Sequence, residues 1–118
     1  MKRIVILASG SGTNALNMIR YFKKTGNAEV VLVISNKGDA GVLEKAALEN
    51  VSVMLLKGKE HFQDKKFSEF LVKQKVDLIV LAGFLLLIPG HLIKAFPDKI
   101  INIHPALLPK HGGKECSE

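Results

Sequence analysis

Arg3-Ile4-Val5-Ile6-Leu7-Ala8-Ser9-Gly10-Ser11-Gly12-Thr13-Asn14 passes from an unbroken aliphatic run straight into a glycine-rich turn. The run shows no apolar/polar alternation, so it reads as a strand buried on both faces, as in a parallel sheet covered by helices on either side. Four more runs have the same character: Glu29 to Ile34, Ser52 to Leu56, Asp77 to Leu81 and Lys99 to Ile103. Helical spacing separates them. Leu16, Ile19 and Phe22 share one face while Arg20, Lys23 and Lys24 take the solvent side, and Gly26 supplies a stop. The spacing predicts a second helix over Ala40 to Asn50, a third over His61 to Lys75 with Phe67, Phe70 and Leu71 as its apolar stripe, and a short turn after Pro89. This β-α-β-α alternation predicts an α/β fold: a doubly wound, mostly parallel open sheet with right-handed crossovers, in one domain over residues 1–118.

Composition narrows the partners. The chain has 118 residues, enough for one core, and its 17 Lys and Arg against 11 Asp and Glu give a formal charge of +6, which favours anionic ligands. Charge does not choose among phosphates, folates and nucleic acid. One cysteine, Cys116, leaves no internal disulfide or cysteine-rich metal site, in keeping with a reducing, cytoplasmic setting. The opening apolar run ends at Ala8, too short for a signal peptide, and Leu78 to Pro89 is broken by Gly83 and falls well below the roughly 20 residues that span a bilayer. The expectation is a soluble protein that does not use a membrane.

Ligands of open α/β sheets gather beyond the carboxyl ends of the strands, which directs attention to the loops after Ala8, Ile34, Leu56, Leu81 and Ile103. In the first of these, Ser9 to Asn14, glycines allow a close backbone approach, and the following helix N-terminus presents amides to an anion such as phosphate. A dinucleotide fingerprint would need a third glycine where Ala15 stands, and no Lys-Ser/Thr pair makes a Walker loop. The competing reading is a tight turn with Ser11 or Thr13 as a helix cap.

After the fifth run comes Asn102-Ile103-His104-Pro105. Residues two apart in a strand share a face, so Asn102 and His104 can converge on one atom, and Pro105 holds His104 extended. An amide donor beside an imidazole suits acyl or formyl transfer, where both can hydrogen-bond a developing oxyanion and histidine can move protons. A capped strand end is the competing reading. Leu81 to Pro89 is either core beneath a short helix or the wall of a flat ligand's pocket. His104 and His111 have no carboxylate or cysteine at ligand spacing, and His61 and His91 fall in helix-start contexts, so no metal site is expected.

Gly10-Ser11-Gly12-Thr13-Asn14, Ser35-Asn36-Lys37, Leu81-Ala82-Gly83-Phe84 and Asn102-Ile103-His104-Pro105 with Leu107-Leu108-Pro109, in this order, resemble glycinamide ribonucleotide formyltransferase. The resemblance runs through Lys110. It implies a formyltransferase fold and transfer of a formyl group from 10-formyltetrahydrofolate to the amine of glycinamide ribonucleotide, in purine synthesis. It places the ribonucleotide phosphate on Gly12, Thr13 and Asn14, catalysis on His104 and Asn102, and folate contacts on Leu85, Leu86, Leu87, Ile88 and Asn102, with a basic contact at or near Lys65. The family commonly has a basic residue where Leu86 stands. Formyltetrahydrofolate hydrolase and methionyl-tRNA formyltransferase share the Asn-x-His segment, but the glycine loop matches the ribonucleotide enzyme better. The resemblance implies small-molecule partners, neither nucleic acid nor membrane. The family continues past the Leu-Leu-Pro-Lys segment and supplies an aspartate there. The chain by itself is therefore expected to be a poor catalyst, or an inactive phosphate-binding fragment, with an exposed sheet edge that favours self-association.

Overall fold

A computed structural model describes residues 1–38 and 40–103. Its elements are β1 (Lys2–Leu7), α1 (Thr13–Thr25), β2 (Ala28–Ser35), α2 (Gly41–Leu48), β3 (Ser52–Leu55), α3 (Gly58–Gln63), α4 (Lys65–Lys73), β4 (Leu78–Ala82), α5 (Gly90–Ala95) and β5 (Ile100–Ile103). The five strands form one sheet in the order β3-β2-β1-β4-β5, and every pairing is parallel. The expected doubly wound architecture is therefore present.

Alternation within the aliphatic strands sorts side chains to two cores. Ile4, Ile6 and Ala8 of the β1 segment join Val80 and Ala82 under α1 and α2, whose Ala15, Ile19, Val42 and Ala46 close the first core. Val5, Leu7, Ile79 and Leu81 point the other way and meet Phe62, Phe67, Leu71 and Leu92 from α3, α4 and α5. Strict alternation fails once. The β1–β2 register jumps from Ile4↔Val30 to Val5↔Leu32, so Val31 and Leu32 both pack on the second core. The extra residue lets Val33 return to the first core while Ile34 stays on the second.

Three expectations need correction. The third helix is two: α3 ends at Gln63, Asp64 turns to an extended conformation, and its carboxylate accepts from the Lys66 amide at 3.0 Å to cap α4. α2 and α4 also end short of Asn50 and Lys75, which take left-handed φ of 65° and 57°. Finally, β3 and β5 are not fully buried, because they are the outer strands of the sheet among the described residues. Val53, Leu55 and Ile101 remain exposed. The rest of the helical reading holds: Gly26 is the left-handed C-cap of α1, its amide bonded to Phe22 O at 2.8 Å, and a short helix follows Pro89. No helix among the described residues is long and apolar enough to cross a membrane.

Candidate functional site

The chain leaves β1 toward β2 and β3 on one side, then returns past β1 to β4 and β5 on the other, so the loops after β1 and β4 flank the point where strand order reverses. Gly12 is the N-cap of α1 with φ 81° and ψ 21°, and its carbonyl accepts the first helical bond from the Leu16 amide at 2.8 Å. The side-chain cap of the competing reading, from Ser11 or Thr13, does not form. The Ser11 and Thr13 hydroxyls face each other at 3.4 Å, and among the described residues no side chain bonds the first amides of the helix. The amides of Gly12, Thr13, Asn14 and Ala15 thus have no hydrogen-bond partner among the described residues, and the first turn carries no acidic side chain. Such a cluster at a helix N-terminus favours an anion.

Glycine is required at position 12 for two reasons. The left-handed φ disfavours other residues, and an added Cβ would run into Cβ and Cγ2 of Val42 on α2. α2 is fastened to the loop by Val42 N–H donating to Gly10 O at 3.3 Å and by Lys45 Nζ donating to Ser11 O at 2.9 Å.

Ser9 joins the three loops at this end of the sheet. It is buried, its hydroxyl donates to Asn36 Oδ1 at 2.6 Å after β2, and it accepts from the Leu85 amide at 3.0 Å after β4. Asn36 is oriented in turn by the tight turn at Ser35, whose hydroxyl accepts from the Lys37 amide at 3.2 Å. One hydroxyl therefore holds the loop carrying Leu85 to Ile88 against the residue that precedes Gly10.

The segment Leu81 to Pro89 divides residue by residue between core and surface. Phe84, Leu86 and Ile88 pack on the second core, with the Phe84 ring edge-on to Phe62 at 5.4 Å, while Leu85 and Leu87 are 68% and 93% exposed. A cavity of about 190 Å³ lies here, lined by Lys59, Phe62, Gln63, Leu85, Leu86 and Leu87. It is smaller than the roughly 300–1,000 Å³ of whole-ligand pockets, so it suits one end of a larger molecule. Lys65, the first residue of α4, does not line it; Lys59 of α3 does.

Asn102 pairs with Leu81 in the β4–β5 register and is exposed. Register partners in a sheet share a face, which puts Asn102 on the side of Leu81, where Phe84, Leu86 and Ile88 also pack. On the other side, a groove of about 460 Å³ runs between Asn14, Asn17 and Tyr21 of α1 and Ile103 of β5, bringing the glycine loop near the end of the last strand. His104 lies outside the described residues. His61 and His91 are engaged structurally: His61 Nδ1 accepts from the Lys57 amide at 3.1 Å, and His91 bridges Ser68 Oγ at 3.0 Å and Phe62 O at 3.2 Å. Among the described residues no group of three or more His, Cys, Asp or Glu could hold a metal ion.

Sequence reasoning assigned no role to Ser9, Lys45 or Lys59. Ser9 had one signal, a polar residue ending an otherwise apolar buried run. Lys45 had none, because its partner Ser11 is 34 residues away in the chain, and Lys59 had none, because the loop after β4 that it faces across the cavity is distant in sequence.

A family profile described as Formyl transferase matches residues 2–118. The chain is 40% identical over 120 residues to the chloroplastic phosphoribosylglycinamide formyltransferase of Arabidopsis thaliana, covering 96% of this chain and 41% of that protein. It is 33% identical to the phosphoribosylglycinamide formyltransferase of Bacillus subtilis, covering 96% of this chain and 60% of the relative. Its fold matches the crystal structure of glycinamide ribonucleotide transformylase 1 from Symbiobacterium toebii with a TM-score of 0.77 and 38% identity, over 93% of this chain and 54% of that one. The chain thus spans between 41% and 60% of the length of these relatives.

Proposed function

The chain belongs to the formyl transferase family, and we propose that it carries the phosphate-binding and formyl-donor loops of a glycinamide ribonucleotide formyltransferase. The observation that carries this reading is the amide cluster at Gly12 to Ala15, without hydrogen-bond partners among the described residues and tied through Ser9 to the apolar loop after β4. An anion site and an apolar platform for a flat ring system then adjoin at the switch point of the sheet. The ribonucleotide phosphate sits on Gly12, Thr13 and Asn14. The ring end of 10-formyltetrahydrofolate lies along Leu85 to Ile88 and Asn102, with Lys59 or Lys65 as the cation for its carboxylates.

In the reaction the amine of glycinamide ribonucleotide attacks the formyl carbon. The C=O bond becomes a tetrahedral oxyanion, which collapses with loss of N10 of tetrahydrofolate; the proton shed by the attacking amine is balanced by the one N10 gains. An amide N–H of Asn102 donates to the oxyanion, where a fixed donor contributes most because charge develops there. His104 shares that stabilisation and assists the attack. These roles follow from the resemblance carried by Asn102-Ile103-His104-Pro105 and from the place of Asn102 in β5, opposite Leu81.

The test is a two-ligand titration followed by backbone amide resonances. Glycinamide ribonucleotide should move the amides of Gly12 to Ala15, and a formyltetrahydrofolate analogue those of Phe84 to Leu87. Binding that leaves both groups unmoved would overturn the assignment. In a full-length enzyme of the family that carries this segment, Asn102→Ala should lose about 100-fold or more in turnover, the scale of a lost oxyanion donor.

A further inference from the structure

Lys45 is the fifth residue of α2, one turn beyond Gly41, and helical side chains lean back toward the N-terminus of their helix. Its stem therefore crosses the turn that begins at Gly41, where no side chain blocks it, and Nζ reaches Ser11 O at 2.9 Å. Gly41 is fitted to the same carbonyl: a Cβ there would lie 3.3 Å from Ser11 O. Described peptide bonds are all trans, so the Ser11 carbonyl and the Gly12 N–H of one peptide plane point in opposite directions. Holding the carbonyl toward α2 turns the Gly12 N–H away from α2, toward the open side of the loop where the amides of Thr13 and Asn14 also begin the helix.

We infer that Lys45 is a positioning residue for the phosphate loop: by gripping the Ser11 carbonyl it fixes the Ser11–Gly12 peptide with its N–H presented to the anion. The inference rests on the phosphate reading above. It matters because glycine at position 12, in a left-handed conformation, is flanked by a peptide that can otherwise rotate at little steric cost. A flipped peptide would offer a carbonyl where the anion needs a donor.

The experiment compares the full chain with Lys45→Met and Lys45→Arg, using ribose 5-phosphate as the probe, with affinity and the Gly12 amide resonance as readouts. Lys45→Met should weaken binding about tenfold or more, the effect of losing one charge-assisted hydrogen bond, and shift the Gly12 amide in the unliganded protein. Lys45→Arg, which keeps the donor, should stay within about threefold of the parent. The loss should persist at roughly 0.5 M salt, where the Debye length is a few ångströms and a remote charge no longer acts. A loss that vanishes with salt would mean through-space attraction and would overturn positioning, as would unchanged affinity in Lys45→Met. Failure of the parent itself to bind ribose 5-phosphate, with the Gly12 amide unmoved, would instead bring down the phosphate reading and the inference with it.

Discussion

Replacing Ser9 by Ala removes one buried hydroxyl and leaves the backbone and the aliphatic cores in place. Ser9 is 4% exposed, and its hydroxyl makes two hydrogen bonds, 2.6 Å to Asn36 Oδ1 and 3.0 Å from the Leu85 amide. Deleting it strands one acceptor and one donor. A buried group left without its partner costs about 1–3 kcal/mol, but Leu85 is itself exposed and water can reach its amide. The loss should therefore fall near the lower end, about 1–2 kcal/mol in denaturant unfolding. Local effects are sharper than the global one. Hydrogen exchange at the Leu85 amide should speed up relative to amides inside β1 and β4, because its only acceptor among the described residues is gone. Affinity for a formyltetrahydrofolate analogue should fall as the loop loses its fixed distance from β1, and Ser9→Thr, which keeps the hydroxyl, should retain loop protection if its methyl is accommodated. Unchanged exchange at Leu85 in Ser9→Ala, together with unchanged stability, would refute the argument that this hydroxyl holds the loop.

Gly12→Ala should destabilise by about 2–4 kcal/mol, combining overpacking against Val42 with the cost of a left-handed non-glycine residue, and should abolish ribose 5-phosphate binding; calorimetry and denaturation together check it. Asp64→Ala should cost about 1 kcal/mol by uncapping α4, measured by urea unfolding, whereas Asp64→Asn should recover most of it. Glu49 accepts from Lys23 at 3.2 Å and Arg20 at 3.3 Å, and Lys23 foremost holds its carboxyl below the ordinary carboxylate range. A depressed carboxylate stabilises the fold above its unfolded pKa, and that contribution is lost as pH falls through the folded value. Glu49→Gln should accordingly unfold slightly more easily than the parent at neutral pH, and the gap should close as pH falls through the folded value, which lies below the ordinary glutamate pKa of about 4.3, as read from paired unfolding curves; a gap unchanged into strong acid would be the wrong result.

The fold was legible because parallel strands buried on both faces must be aliphatic throughout, and the runs at Arg3, Glu29, Ser52, Asp77 and Lys99 met that demand. The same uniformity hid what it could not encode. Edge and centre strands look alike when nearly every side chain is aliphatic, so the exposure of Val53 and Ile101 follows from strand order, a property of the fold rather than of the local sequence. The irregularity at Val31 is hidden likewise, since Val30, Val31 and Leu32 give no sign of which one slips. The break at Asp64 did have a sign, a carboxylate able to cap, but the hydrophobic spacing of Phe67, Phe70 and Leu71 outweighed it. At the site, Gly12 was readable because it marks a local backbone need. Ser9 and Lys45 were not, because a hydroxyl that meets Leu85 and an ammonium that meets Ser11 act across 76 and 34 residues of chain. Local chemistry names the groups that face a ligand, whereas the groups that aim them become visible only when the sheet brings their loops together.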